Sequence, residues 1–475
     1  MTETLTPDIC VIGAGSGGLT VAAAAAAFGV SVVLVEKGRM GGDCLNYGCV
    51  PSKAMLAAAK RMRAVATAGA FGIAVPDGAA ADPRKVNDHV RAVIAAIAPN
   101  DSEERFTALG VRVIRAAARF VDRRTVEAAG LTIRARRFVI ATGSTPVVPP
   151  IPGMATVDYF TNETIFENRR RLAHLIIIGA GPIGLEMAQA HQRLGTRVTV
   201  IEAATALANE DPELAAVVVE ALRAEGVDIR ERATVERVER RGRSGVRVHL
   251  AGDAPAAIEG SALMVATGRR ANVADLGLDQ ARVRFEATGV KVNAALRTSN
   301  RRVYAIGDVV GPPQFTHLAG YHAAQVVRSI LFRQNARPDL SIVPRATFTD
   351  PELAQVGLTE GQARQSHREL RILRWPFHEN DRAQAERRTA GMVKLVTDAR
   401  GRILGAGIVG AEAGELINLW ALAVARKMTV RDIVGYVAPY PTLAEAGRRA
   451  AIGFYAPLPR RPLVRWLVNF LRKFG

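Results

Sequence analysis

With 475 residues, about half of them apolar and 23% charged, the chain has the length for two to four domains and an ordinary globular composition. Three cysteines, Cys10, Cys44 and Cys49, exclude a disulfide-stapled secreted scaffold, and the sequence holds no apolar run long enough to span a bilayer. The net charge of +18 comes from 63 basic residues, only eight of them lysine, spread along the chain without a nucleic-acid-binding module; it is read as general arginine usage with salt-sensitive affinity for polyanions and no specific nucleic-acid partner.

A buried-strand pattern starts near Asp8, which leaves no room for a signal peptide, so a cytoplasmic protein is expected. The strand runs into a Gly-x-Gly-x-x-Gly turn at Gly13, Gly15 and Gly18, then an alanine-rich helix, then a second strand ending in Glu36. Such a turn sets a pyrophosphate against backbone amides at a helix N-terminus, and the strand-ending acid accepts hydrogen bonds from ribose hydroxyls. Next comes Gly41-Gly42-Asp43-Cys44-Leu45-Asn46-Tyr47-Gly48-Cys49-Val50-Pro51-Ser52-Lys53. Two cysteines five apart in a regular helix would lie ~7.5 Å apart along the axis alone. That exceeds the ~7 Å limit between Cα atoms for a disulfide. Bridging them requires a distorted first turn, which Asn46 and Gly48 permit. The amides of the helix start, together with Lys53, favour a thiolate. With no further Cys or His nearby, no metal site is expected.

A strand ending in Thr142-Gly143 and a proline-rich stretch at 146–152 close this region. The whole pattern then repeats, with Gly179, Gly181 and Gly184 in the turn and Glu202 at the strand end. From first glycine to acid is 23 residues in both copies, and Thr267-Gly268 echoes Thr142-Gly143. The chain therefore carries two dinucleotide-binding domains. Glu202 would repel a 2′-phosphate and no Arg follows it directly, so NADH is expected over NADPH. A further segment ends in Ile306-Gly307-Asp308; just beyond it His317 is read as a hydrogen-bonded structural residue or one that tunes a nearby ring. From about 346, strand-like runs (370–376, 392–397, 403–409) mix with helices (412–427, 429–436, 442–452), as in an α+β domain. Within it, 379–382 reads as a turn with a surface ion pair. The last twenty residues form a basic amphipathic tail, with Arg465, Asn469, Arg472 and Lys473 on one helical face and Leu463, Trp466, Leu467, Phe470, Leu471 and Phe474 on the other. It is read as docking on the protein's own body or lying on the inner face of an anionic membrane.

On these motifs the chain resembles the class I pyridine nucleotide–disulfide oxidoreductases from residue 8 to about 452, and the Gly41–Lys53 segment is highly specific to that family. The resemblance implies an α/β fold of two Rossmann-like dinucleotide-binding domains plus a C-terminal α+β dimerisation domain. Its parts would be 1–150 and 271–345 for FAD, 151–270 for NAD(P), 346–455 for dimerisation and 456–475 for the tail. It implies FAD and NADH as cofactors and a homodimer in which the dimerisation domain completes the partner's active site. Cys49 would be the flavin-proximal thiol that makes the charge-transfer contact, and Cys44 the interchange thiol that meets substrate. Lys53 and Glu186 would pair near the flavin. Gly13, Gly15, Gly18, Glu36, Gly143 and Asp308 would hold FAD; Gly179, Gly181, Gly184, Glu202 and Gly268 would hold the nicotinamide dinucleotide.

One departure matters. Thiol-handling members carry a His-Pro-Thr-x-x-Glu signature, whose His moves the proton to and from substrate thiols. Here the stretch reads Tyr440-Pro441-Thr442-Leu443-Ala444-Glu445, with Tyr in place of His and the Glu retained. A phenol of unperturbed pKa ~10 is a poor acid–base at neutral pH. Tyr440 and the segments near Ala413 and Met428 are similar to the mercuric-reductase branch, but this chain has no cysteine after Cys49 to deliver a metal. The expected activity is FAD-dependent NAD(P)H oxidation through a redox-active Cys44–Cys49 disulfide, with a small molecule or metal ion as substrate. The alternatives are a dihydrolipoyl dehydrogenase and, from the tail, a membrane-surface electron-transfer protein reducing quinones or a redox sensor.

Overall fold

Ile9–Ile12, Val32–Val35 and Ala262–Val265 are apolar and buried at every position, a pattern that fits only strands covered on both faces. The computed structural model, which describes residues 3–76, 78–242, 245–252 and 257–474, places them in two parallel sheets. Residues 1–2 and 475, at the ends of the expected first domain and tail, lie outside the described residues. The chain divides into two compact units, Met1–Ala203 with Val227–Pro338, and Ala204–Gly226 with Asp339–Gly475.

Through the first unit the chain runs β1 (Ile9–Ile12), α1 (Ser16–Ala27), β2 (Val32–Val35), α2 (Gly42–Asn46), α3 (Cys49–Thr67), α4 (Pro83–Ile97), β3 (Val111–Ile114) and β4 (Arg137–Ile140). It continues as β5 (His174–Ile178), α5 (Pro182–Arg193) and β6 (Arg197–Ile201), passes into the second unit for α6 (Pro212–Ala224), and returns for β7 (Asp228–Arg230), β8 (Ala262–Val265), β9 (Arg269–Ala271), β10 (Val303–Ala305) and α7 (Thr316–Leu331). One sheet has the order β10-β4-β1-β2-β3 and the other β7-β6-β5-β8. The registers of the two repeats coincide: Ile12 lies beside Val35 and Ile178 beside Ile201, so each turn opens level with its strand-ending Glu. Gly13 N–H donates to the Val35 carbonyl and Gly179 N–H to the Ile201 carbonyl, both at 2.8 Å. That register is the physical reason for the equal spacing of glycine and acid. Cys10 lies fully buried within β1, and burial pushes its thiol up to about 12, which makes it a packing residue.

In the second unit β11 (Arg345–Thr347), β12 (Glu352–Gly357), α8 (Glu360–Ser366), β13 (Leu370–Pro376), β14 (Met392–Asp398) and β15 (Ile403–Gly410) precede α9 (Ala413–Ala425), α10 (Val430–Gly435), α11 (Glu445–Ile452) and α12 (Pro462–Leu471). The sheet is antiparallel in the order β11-β12-β15-β14-β13. Trp420, Phe377 and Ile408 anchor the core between this sheet and α9 to α11. Helix α6 packs against β12 and β15 although it lies in sequence between two strands of a nucleotide sheet. Leu214, Val218 and Leu222 form its buried stripe. Among the described residues no helix is long and apolar enough to cross a membrane.

Candidate active site

The glycines of the two turns do different jobs. A Cβ at Gly18 would collide with the Gly13 carbonyl oxygen, and one at Gly184 with the Gly179 carbonyl oxygen, so these positions let helix and strand approach. A Cβ at Gly15 or Gly181 would meet no atom within 4 Å, and both residues have ordinary extended backbone. Packing within the chain therefore does not demand glycine there. The open space lies at the start of α1 and α5, neither of which carries a side-chain N-cap. Uncapped amides facing open space suit a pyrophosphate, so the residues present fit a dinucleotide at each turn. Gly143 and Gly268, with φ of +69° and +134°, likewise face open space. Glu36 accepts from Ala14 N–H and Gly38 N–H at 2.6 Å each, and Glu202 accepts from Ala180 N–H at 2.8 Å, which fixes each carboxylate beside its turn.

The cysteine segment is pinned to the first turn. Gly41 N–H donates to the Ala14 carbonyl at 3.0 Å, and a Cβ at Gly42 would lie 2.7 Å from Gly15 Cα, so only glycine lets the chain pass there. The distortion expected between the cysteines is a break: α2 ends at Asn46, Tyr47 and Gly48 leave helical geometry, and Cys49 starts α3. Asn46 Nδ2 holds the turn by donating to the carbonyls of Met40 and Gly42 at 3.0 and 2.8 Å.

Cys44 is half-buried, Cys49 is exposed, and the two are free thiols in hydrogen-bond contact. The Cys44 hydrogen bond pulls the Cys49 thiol down to about 6; the Thr316 hydroxyl, 3.3 Å from its Sγ, and the charge of Lys53 act in the same direction against burial. The same hydrogen bond, with burial, pushes Cys44 well above the usual thiol range. Both effects draw the negative charge of the singly protonated pair toward Cys49. Lys53 lies one turn along α3 and pairs with Glu186 of α5 at 2.9 Å. Glu186 is almost wholly buried, so the ion pair ties α3 to the helix of the second turn.

Several partners of this centre are not visible as motifs in the sequence. Arg269 in β9 pairs with Asp43 at 3.1 Å and donates to the Ser144 hydroxyl and carbonyl at 2.8 and 2.9 Å. Ser144 in turn donates to Asp308 at 2.6 Å, where burial raises the carboxyl pKa against the pull of Ser144 and Arg269. Asn162 donates to Asp43 and to the Tyr47 carbonyl at 3.2 and 3.1 Å. The negative charge of Asp43 opposes thiolate formation at both cysteines, so its pairing with Arg269 favours the Cys49 thiolate. His317 is exposed and stacks on Phe315 with ring centroids 5.1 Å apart. Thr316, its neighbour at the start of α7, is the residue that reaches the thiol.

Removing that hydroxyl tests its part. Thr316→Val is expected to raise the pH midpoint for alkylation of Cys49 in the reduced protein from about 6 by ~1 unit, the scale of one hydrogen bond to a charged group. The rate rises with pH because the thiolate accumulates above the midpoint. Thr316→Ser should keep the native profile; an unchanged profile in Thr316→Val would remove the residue from the site.

Tyr440 and Glu445 belong to the second unit and form a group of their own. Tyr440 is 69% exposed and its hydroxyl donates to Asp381 at 2.9 Å. That bond, the charge of Asp381 and the nearby Glu445 raise the phenol pKa further, so it is a still weaker acid than its residue type and its phenolate is scarcer still at neutral pH. Asn380 donates to the Thr442 carbonyl at 3.0 Å, so 380–381 clasp the Tyr440 loop from both sides. The ion pair expected within 379–382 instead joins Arg382 to Glu386 at 2.5 Å, along the short helix Asp381–Ala385.

Comparison with known proteins adds the family. The pyridine nucleotide-disulphide oxidoreductase model matches residues 7–323, and the dimerisation-domain model of that family matches residues 343–451. A mercuric reductase of Staphylococcus aureus is 35% identical over 94% of this chain and 82% of its own length. A dihydrolipoyl dehydrogenase of Thermus scotoductus is 35% identical over 94% of this chain and 97% of its own. Among solved structures, the Cu(II) complex of the HOCl-induced flavoprotein disulfide reductase from Escherichia coli superposes with a TM-score of 0.83 at 27% identity, covering 92% of this chain and 98% of that one.

Proposed function

The chain belongs to the pyridine nucleotide-disulphide oxidoreductase family, and from that premise we propose that it passes two electrons from NADH through Cys49 and Cys44 to an electrophile that needs no proton shuttle. It is an FAD-dependent NAD(P)H oxidoreductase, and its dimerisation domain makes it a homodimer. FAD, when bound, relays the electrons from the nicotinamide to the cysteine pair. Residues 1–150 and 271–345 would hold it, through Gly13, Gly15, Gly18, Glu36, Gly143 and Asp308. Residues 151–270 would hold the nicotinamide dinucleotide through Gly179, Gly181, Gly184, Glu202 and Gly268.

The observation that carries this reading is the paired placement of Cys44 and Cys49 across the break between α2 and α3, with the Thr316 hydroxyl 3.3 Å from the Cys49 sulfur. Two electrons from NADH entering the disulfide break its S–S bond; one proton is taken up from water on Cys44, and Lys53 and Thr316 favour the anion on Cys49. As Cys44 attacks the electrophile its proton leaves to water, and the Cys49 thiolate remains as the second sulfur of the pair. At the place of the family's proton-shuttling His this chain has Tyr440. Tyr440, which with Glu445 and residues 346–455 would face the partner's cysteines in the dimer, is locked to Asp381 as a hydrogen-bond donor. This favours a soft metal ion or another electrophile whose leaving group stays unprotonated. Relatives named for mercury, and a structural neighbour solved with Cu(II), support the same substrate class. The retained Glu445 and the dihydrolipoyl dehydrogenase relatives keep disulfide exchange as the second reading.

The test is NADH oxidation by purified holoenzyme against Hg²⁺, Cu²⁺, disulfides, lipoamide and quinones, with Cys44→Ser in parallel. Cys44-dependent turnover with metal ions and little with disulfides is expected; rapid lipoamide turnover would move the assignment to the second reading. In the same assay kcat/KM should favour NADH over NADPH by roughly tenfold or more, the factor given by ~1.4 kcal/mol of repulsion at Glu202. Glu202→Gln should narrow that gap.

A further inference from the structure

Helix α12 is out of keeping with the rest of the chain. None of its residues is buried. Leu463, Trp466, Leu467, Phe470 and Leu471 are 45–74% exposed, and Phe474 just beyond the helix is 74% exposed. These side chains share one face. Trp466 stacks on Phe470 at 5.7 Å between ring centroids, and Phe470 meets Phe474 at 5.1 Å, which makes a continuous aromatic ridge. The apolar face therefore does not dock on the body of its own chain. Arg465, which donates to the Pro459 carbonyl at 2.8 Å, lies on the opposite face with Asn469, Arg472 and Lys473. From residue 446 to the end the chain has seven Arg and Lys and no Asp or Glu.

We propose that α12 docks the enzyme on an anionic phospholipid surface, its aromatic ridge in the interface and its arginines among the headgroups. Charge chooses this occupant. A segment with seven cationic and no anionic side chains complements a layer of phosphates, whereas a second copy of this chain would set like charge against like. The match to the dimerisation domain also ends at residue 451, before α12 begins. Ten residues are too few to span a bilayer, so the helix lies along the surface. Trp and Phe are the side chains that suit that depth. The inference is independent of what Cys44 reduces.

The FAD-loaded full-length protein should sediment with phosphatidylglycerol–phosphatidylcholine vesicles and not with pure phosphatidylcholine, less so as salt rises. Leu467→Ser/Phe470→Ser removes apolar area without changing charge, and should bind at least tenfold more weakly while NADH oxidation stays native. Arg465→Gln/Arg472→Gln/Lys473→Gln should abolish the preference for anionic vesicles. Equal sedimentation of wild type and Leu467→Ser/Phe470→Ser would overturn the proposal, because binding would then come from the general basic charge. So would a shift of that variant from dimer to monomer in analytical ultracentrifugation, which would make the ridge a protein interface.

Discussion

Replacing Cys49 by serine is expected to lower NADH-dependent reduction of any electrophile that takes its electrons from the thiol pair by roughly 10³-fold or more. The loss is large because the pathway has one entry, a thiolate poised at about 6, and a serine hydroxyl stays protonated in the same field. Cys44→Ser should lose the same turnover by another route. It keeps the Cys49 thiolate and an O–H donor toward it, but nothing is left to attack substrate. The two variants separate on titration with NADH. Long-wavelength absorption from a thiolate beside the flavin should survive in Cys44→Ser and vanish in Cys49→Ser. Steady-state rates with metal and disulfide acceptors, read beside that spectrum, check the assignment; full turnover in Cys49→Ser would end it.

The second large effect concerns stability. Lys394 on β14 is nearly buried, and its ammonium lies 2.9 Å from Asp211, 2.7 Å from Glu213 and 2.9 Å from Glu360. Arg374 closes the network at 2.7 Å from Glu213 and 3.1 Å from Glu360. Burial alone would lower the lysine pKa, but the three carboxylates overcome it and leave it raised. Lys394→Ala leaves three acids with only Arg374 and the surface Arg364 beside them, and should destabilise the second unit by ~3–5 kcal/mol, the scale for breaking a buried pair from one side. All three tryptophans, Trp375, Trp420 and Trp466, belong to this unit, so urea unfolding followed by their fluorescence reports it. The pH sign is also set. Arg374 first, then Lys394, hold Glu213 at about 2, below its usual 4.5. Its contribution is therefore complete above pH ~4.5 and is lost as the pH falls toward 2, a loss that Lys394→Ala should blunt.

The twin nucleotide turns were legible in the sequence because steric limits permit nothing but glycine at positions such as 18 and 184. The strand and helix runs of the dimerisation domain were legible through their periodicity. So was the need for a broken helix between Cys44 and Cys49, since a regular one sets them too far apart. The surroundings of the thiols were not. Thr316 is 267 residues from Cys49, and Asp43, Asn162 and Arg269 meet only once the strands have aligned. A lone Arg after Thr267-Gly268 or a lone Asp before a cysteine carries no periodic or motif signal. The tail was legible as amphipathic, but its two settings differ only in what covers the apolar face. In the second unit the hydrogen bond from the Tyr440 hydroxyl to Asp381, 59 residues away in sequence, was likewise not legible.

Helix α6 bears on how such a protein can be recombined. Residues 204–226 lie in sequence between β6 and β7 but pack with the unit that begins at residue 339, so the chain passes between units three times. Asp211 both caps the helix, through Glu213 N–H at 3.1 Å, and holds Lys394. A chimaera spliced once near 339 would pair a foreign sheet with the native helix and break that lock. A viable graft must carry two pieces, 204–226 and 339 onward, which makes the helix a covalent tether against shuffling of the C-terminal half.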